Sequence, residues 1–296
     1  MKILVIGSEG NVGKELVPYL KKYHKVFRVD IIQSFADDYM IADIKNASEL
    51  SMVFKKFRPE VVFNLAAMVS RITCEKSKCL TVETNLTGVM NVIQLCKMYK
   101  SKLIYFSTSE VYGNQDGYLK EDIVCQPNNF YGFTKYLGEE LVNYERTEGL
   151  SAIIVRPFMF YSELENFGVN RSAMIRFAEN LYRKEKIEVH TGSKRSWLHM
   201  SDAVVILEKL MKVDEVMPIN IGHPKLYGMD EMANYMCKVL NISYKDYVVE
   251  NSLPEKMTLI KRPHLHLQEL HTRYNPQIDL FKGIDRVLEE TKKRLS

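Results

Sequence analysis

The chain has 296 residues, 46% apolar and 26% charged, with 41 Lys and Arg against 37 Asp and Glu for a formal net charge of +4. That length suits two domains or one elaborated domain, and it buries a core without help from disulfides or metal. The composition excludes disordered, collagen-like and coiled-coil chains, and both signs of charge are spread along the sequence, so the small basic surplus is no evidence for nucleic acid and only mild evidence for small anionic ligands.

KILVI at 2–6 is a buried strand by composition, and 11–23 carries Val12, Leu16, Val17 and Leu20 at helical spacing. KVFRVDII (25–32) is a second strand, 47–57 a second helix and VVFNLA (61–66) a third strand. The alternation continues with a helix at 82–99, strand KLIYFS (102–107), a helix at 131–147 and strand AIIVRP (152–157). Strands alternating with helices imply right-handed βαβ units and a parallel sheet. Beyond Phe158 a polar loop (162–170) leads to a helix (171–184), a strand (186–190) and a Gly/Ser turn at 192–193. A helix at 201–212, strand PINIG (218–222), a helix at 229–240 and a terminal helix within 277–294 complete the chain. The pattern predicts an α/β fold: a doubly wound parallel (Rossmann) sheet over residues 1–160, with a smaller, mixed C-terminal lobe over 161–296. Residues 198–222 of that lobe are expected to return to the sheet.

Cys74, Cys79, Cys96, Cys125 and Cys237 show no CxxC and no paired Cys/His spacing, so neither a metal site nor a disulfide framework is expected. Such cysteines suit a reducing cytoplasm. The first apolar run is too short for a secretory signal, and no run approaches the ~18 apolar residues that cross a bilayer. The expectation is a cytoplasmic protein that meets no membrane.

Gly7, Gly10 and Gly13 in GSEGNVG separate the first strand from the first helix. Glycines there allow a tight turn, close backbone approach to a pyrophosphate and close packing of helix on sheet, while the helix N-terminus faces the phosphates. Asn11 and Val12 belong to the same turn. Asp30 ends the second strand, where a carboxylate accepts both ribose hydroxyls of NAD and repels the 2′-phosphate of NADP. Arg28, two residues earlier, blurs that preference.

Tyr131 and Lys135 form YxxxK on one face of a helix. An ammonium beside a phenol lowers the phenol's pKa, which predicts a base usable near neutral pH. STSEVYG (107–113) follows the fourth main strand at its C-terminal end, where sites of open α/β sheets lie. Ser107, Thr108 and Ser109 supply hydroxyls there and Glu110 a carboxylate.

GxxGxxG, Asp30, Asp43-Ile44, NLAA (64–67), STSEVYG, YGFTK (131–135) and RP (156–157) occur in one order at one set of spacings. Together they resemble the extended short-chain dehydrogenase/reductases, in particular the nucleotide-sugar epimerase/dehydratase family. The resemblance covers nearly the whole chain. It implies bound NAD, with Asp43 and Ile44 near the adenine and Leu65, Ala66 and Ala67 along the cofactor. It also implies Tyr131 as acid/base, Lys135 on the nicotinamide ribose and Thr108 bridging to the sugar. Arg195, in GSKRSWLHMSDAV (192–204), and Arg262, in KRP (261–263), take the place of arginines that meet the substrate's diphosphate, and Ser109 that of a sugar contact. His199 and Trp197 are read as structural, and His264, His266 and His271 as polar-face residues. Helices 82–99 and 131–147 are the pair that builds a homodimer in related proteins. Met159 stands where the family often has Asn, and Ser162-Glu163 where it has Gly-Pro, which departs from the well-known subtypes.

The leading expectation is an NAD-dependent enzyme acting on a nucleotide-diphosphate sugar through transient C4 oxidation, most simply an epimerase. Glu110 keeps open a 4,6-dehydratase or a uronate decarboxylase. A ketoreductase and a non-catalytic dinucleotide-sensing protein are the remaining alternatives.

Overall fold

Seven runs rich in Val, Ile, Leu and Phe form one sheet in the computed structural model, which describes residues 1–115, 117–168, 171–253 and 257–296. From one edge the strands run Ile219–Ile221, Ala152–Pro157, Lys102–Phe106, Val61–Asn64, Lys2–Ile6, Lys25–Asp30 and Tyr39–Ile41. Every neighbouring pair is parallel. Successive side chains of a strand point to opposite faces, and both faces here are covered. Ile3 and Val5 enter a core with Leu16 and Leu20 of helix Asn11–Leu20 and with Ile206 and Leu207 of helix Met200–Leu210. Leu4 and Ile6 enter the opposite core, with Val53 and Phe54 of helix Ala47–Phe57 and Val92 and Cys96 of helix Gly88–Tyr99. The chain order reverses beside Lys2–Ile6, between Lys25–Asp30 and Val61–Asn64. Such a switch point opens a crevice at the strands' C-terminal ends.

A third core gathers Phe177, Met232 and Ile284 from the later helices with Tyr161 and Trp197 from two short strands. Two short sheets join this lobe to the strand ends. Trp197–His199 pairs with Met159–Tyr161, and Lys194–Arg195 lies between Tyr227–Gly228 and Ile260–Pro263, which in turn pairs with Tyr118–Leu119. A buried network runs beneath this junction, and Asn220 Nδ2 carries it to His264 O at 3.2 Å. The Arg156 guanidinium donates to Glu139 at 2.6 and 2.9 Å and to the Tyr112 hydroxyl at 2.9 Å, and that hydroxyl donates to Asn220 at 2.7 Å.

The helix expected over 82–99 is three pieces: Lys78–Val82, a π-helical turn Glu83–Thr87 and Gly88–Tyr99. Periodicity does not reveal such a turn. Here it aims buried Asn85 at the loop after the third long strand: its Oδ1 accepts from Met68 N at 2.8 Å, and its Nδ2 donates to Met68 O at 3.1 Å and to Thr134 Oγ1 at 3.0 Å. The edge strand Tyr39–Ile41 is also absent from the sequence reading, being too short for alternation to show. Residues 169 and 170 of the polar loop lie outside the described residues. Among the described residues no helix is long and apolar enough to cross a membrane, and no group of His, Cys, Asp and Glu is placed to hold a metal ion.

Candidate active site

A cleft of about 810 Å³ opens along the C-terminal ends of the strands. One end is floored by the turn Gly7–Gly13. Gly7 has φ +84, and a Cβ there would lie 2.7 Å from Ala66 N; a Cβ on Gly13 would lie 2.5 Å from Ser8 O. Both contacts are with backbone, so only glycine fits. No side chain caps helix Asn11–Leu20 at Gly10, which leaves its first N–H groups for an anion in the cleft. Asp30 stands beside this turn, its carboxylate oriented by Glu9 N at 2.9 Å and Ile31 N at 2.8 Å. The glycine cradle, the uncapped helix end and this ribose acceptor fit a dinucleotide. Gly7, Gly10, Asn11, Val12, Gly13, Asp30, Asp43, Ile44, Leu65, Ala66 and Ala67 all line the one cleft.

Thr108, Tyr131 and Lys135 line its middle. Asn129 caps helix Phe130–Thr147 through Gly132 N at 2.9 Å, fixing the turn that carries Tyr131. The Lys135 ammonium sits 4.5 Å from the centre of the Tyr105 ring, and the Tyr105 hydroxyl donates to Lys135 O at 3.3 Å. Burial lowers the Lys135 pKa to about 7, against the opposing pull of Glu139. Tyr131 departs from the sequence expectation: burial raises its phenol, Glu110 and Cys74 push the same way, and only the Thr108 hydroxyl favours the phenolate. The reason is geometric. The ammonium is directed at Tyr105, and the interior around the phenol disfavours its anion. Ser107, which the sequence reading grouped with Thr108 and Ser109 as a source of hydroxyls, has a buried hydroxyl in the cleft wall with no partner among the described residues.

Ser109, Glu110, Arg195 and Arg262 do not line this cleft. Glu110 is ion-paired to Lys261, accepts from Asn129 Nδ2 at 2.9 Å and lies 3.8 Å from Arg71. Burial alone raises its pKa, but Lys261, Arg71 and Asn129 together outweigh that and hold it below the usual range. Arg195 is buried and spends its guanidinium on the carbonyls of Lys194, Thr258 and Leu259 at 2.7–2.9 Å; burial lowers its pKa to about 10. Arg262 is exposed, with its guanidinium 5.0 Å from the Tyr118 ring centre, while its neighbour Lys261 faces inward. His199 is a structural residue here: Nδ1 accepts from Ser201 N at 3.1 Å, so Nε2 carries the proton toward Glu163 at 2.9 Å. Trp197 is buried in the third core.

A parallel sheet with a dinucleotide cradle at its switch point, and a Thr, Tyr and Lys beyond it, defines an NAD-binding α/β oxidoreductase-type site. The sequence model of the NAD dependent epimerase/dehydratase family matches residues 3–222, and the chain belongs to that family. It is 26% identical over 322 residues to UDP-glucuronic acid decarboxylase 5 of Arabidopsis thaliana, covering 100% of this chain and 90% of the relative. Protein CapI of Staphylococcus aureus is 28% identical over 236 residues, covering 72% of this chain and 70% of the relative. In fold the chain is similar to UDP-glucose 4-epimerase of Thermotoga maritima with UDP-glucose, at TM-score 0.92, 21% identity and full coverage of both chains. It is also similar to MoeE5 in complex with UDP-glucuronic acid and NAD, at TM-score 0.87 and 20% identity, covering 99% of this chain and 100% of that one. The protein is an NAD-dependent enzyme of the nucleotide-sugar epimerase, dehydratase and decarboxylase group.

Proposed function

We propose that the protein epimerises a nucleotide-diphosphate sugar at C4, with the sugar nucleotide held by the lobe after residue 160. Bound NAD would be held by the Gly7–Gly13 turn and Asp30 and would supply reversible hydride acceptance, and return of the hydride to the opposite face of the transient 4-keto sugar would invert C4. Tyr131 takes the proton of the C4 hydroxyl and gives it back, while Thr108 holds that hydroxyl in line. This requires the phenolate, which burial disfavours and which the positive charge of a bound oxidised nicotinamide would favour. Lys135 positions the ribose end of the cofactor.

The observation that carries this reading is the state of Glu110. A 4,6-dehydratase must hand a proton to the departing C6 hydroxyl. A carboxylate held ionised by Lys261 and Arg71 is a poor acid for that step. Epimerisation needs no acid beyond Tyr131. A second reading, uronate decarboxylation, is compatible with the same ionised Glu110, whose charge is already met by Arg71 and Lys261 outside the cleft lining. A 4-keto uronate loses carbon dioxide by passing electrons to the C4 carbonyl, so the lack of a protonated Glu110 does not count against it. The decarboxylases among the relatives support it.

The test incubates the protein with UDP-, GDP-, CDP- and dTDP-linked hexoses and hexuronates, read by mass spectrometry and NMR. Unchanged mass with inverted C4 is the expected result, and loss of carbon dioxide supports the second reading. Loss of water, or dependence on added reduced cofactor, overturns both. We also propose that the protein pairs with a second copy through helices 88–99 and 130–147, whose Met98, Phe133 and Tyr144 are exposed. Sedimentation showing only monomer removes that idea.

A further inference from the structure

Arg28 and Asp30 lie two residues apart on strand Lys25–Asp30, so both side chains rise from one face of the sheet; Asp30 lines the cofactor cleft, and Arg28 stands behind Glu9, which also lines it. A guanidinium there matches a phosphate well, because its fork of N–H groups suits paired oxygens. Yet each of the three nitrogens of this guanidinium is engaged. Its Nη2 donates to Asp38 Oδ1 at 2.9 Å, its Nε to Asp38 Oδ2 at 3.3 Å and its Nη1 to Glu9 Oε1 at 3.3 Å. Its plane also lies 5.3 Å from the Tyr39 ring centre, and Lys21 holds Asp38 from the other side at 2.6 Å. Glu9 is in turn fastened to Asp30 by the 2.9 Å bond from its backbone N–H, and both residues line the cleft.

We propose that Glu9 is a cofactor-discriminating residue, which together with Asp30 forms an acidic collar that keeps Arg28 from serving a ribose 2′-phosphate. Arg28 is then a sequestered phosphate site rather than a neutral strand residue. The two free hydroxyls of the NAD ribose need only an acceptor, which Asp30 supplies. A 2′-phosphate entering the same place meets two like charges at short range and finds its natural partner already spent. Removing Glu9's charge does two things at once: it lowers the repulsion and loosens the hold on Nη1, because a neutral amide oxygen accepts less strongly than a carboxylate. Asp38 keeps the guanidinium in place through the other two nitrogens, so the released site remains oriented.

The experiment equilibrates the full-length protein with equal concentrations of NAD and NADP, desalts it and identifies the retained dinucleotide by mass spectrometry. Calorimetric titration of each dinucleotide supplies the affinities, and no sugar is present. The wild type, Glu9→Gln, Glu9→Gln/Asp30→Ser and that double variant with Arg28→Gln are compared. The retained NADP to NAD ratio is expected to rise in Glu9→Gln and to rise at least about tenfold in the double variant, as removal of two close charges implies. It is expected to fall back when Arg28 is also replaced. An unchanged ratio in the double variant overturns the proposal, as does a gain that survives Arg28→Gln. If the double variant does not fold, Glu9→Gln alone decides: its NADP affinity must rise, and the rise must vanish in Glu9→Gln/Arg28→Gln.

Discussion

The Glu110 carboxylate and the Lys261 ammonium form an ion pair across 151 residues of sequence. It ties the turn that carries Thr108 to a strand of the C-terminal lobe, and the Lys261 side chain in it is only 5% exposed. Removing one partner of such a pair strands the other's charge, whereas removing both restores neutrality. Lys261→Met is therefore expected to cost about 3 kcal/mol, and Lys261→Met/Glu110→Gln to recover much of that. Urea unfolding of the two variants checks it; a Lys261→Met midpoint equal to wild type would show that the pair contributes nothing.

Tyr131→Phe deletes one hydroxyl and keeps the ring that fills the helix end. The dinucleotide cradle is built from other residues, so retention of NAD is expected. Loss of the positioned acid/base is expected to lower turnover by about 10²- to 10⁴-fold. Conversion of the sugar nucleotide and the retained dinucleotide are measured on the same preparation. Full turnover on the true substrate would sink the mechanism.

Lys135 makes stability depend on pH in a defined direction. Its folded pKa is about 7 against an ordinary 10.5, and burial is the first cause. Between those values the unfolded chain holds a proton that the folded chain lacks, so this residue's contribution rises with pH across that window. Below pH 7 the folded protein carries a buried ammonium at full cost. Lys135→Met is expected to be more stable than wild type at pH 6, by an amount on the order of a few kcal/mol. The gap should close as pH climbs toward 10. Denaturant titrations at pH 6, 8 and 10, without dinucleotide, measure it, and a gap that does not vary with pH refutes it.

What was legible in the sequence follows from how local each signal is. The Gly7–Gly13 turn, Asp30 and the Tyr131/Lys135 pair announce themselves because the chemistry demands a residue type at a fixed spacing within one βα unit or one helix turn. The substrate end is different. Which residue of the pair Lys261 and Arg262 faces inward is decided by register: Lys261 lies opposite Arg195, and Arg262 opposite Tyr118. Strands as short as Lys194–Arg195 and Tyr118–Leu119 have no periodicity to read. The sequence reading chose Arg262 by resemblance, while Lys261 and Arg71, which meet Glu110, were passed over. Nothing near either in the chain marks them. The π turn that directs Asn85 is hidden for a related reason, since it inserts into a pattern that still reads as one helix.

Gly13 offers the sharpest test of the cradle, because its constraint is contact rather than backbone conformation. A Cβ at Gly13 meets Ser8 O at 2.5 Å and Gly7 O at 2.6 Å, and neither backbone atom can turn aside as a side chain would. The helix must therefore lift from the turn, which moves its free N–H groups away from the pyrophosphate position. Gly13→Ala is expected to cost about 1–3 kcal/mol through overpacking and to lose NAD on desalting. Gly149→Ala is the matched control. That residue has φ +92 with no atom within 4 Å of a built Cβ, and it lies away from the cleft. Its substitution should cost about 1 kcal/mol from backbone strain and leave NAD retention unchanged. Melting curves and retained dinucleotide for the two variants separate the outcomes. Equal NAD retention by Gly13→Ala and Gly149→Ala would mean that close approach at Gly13 does not hold the cofactor.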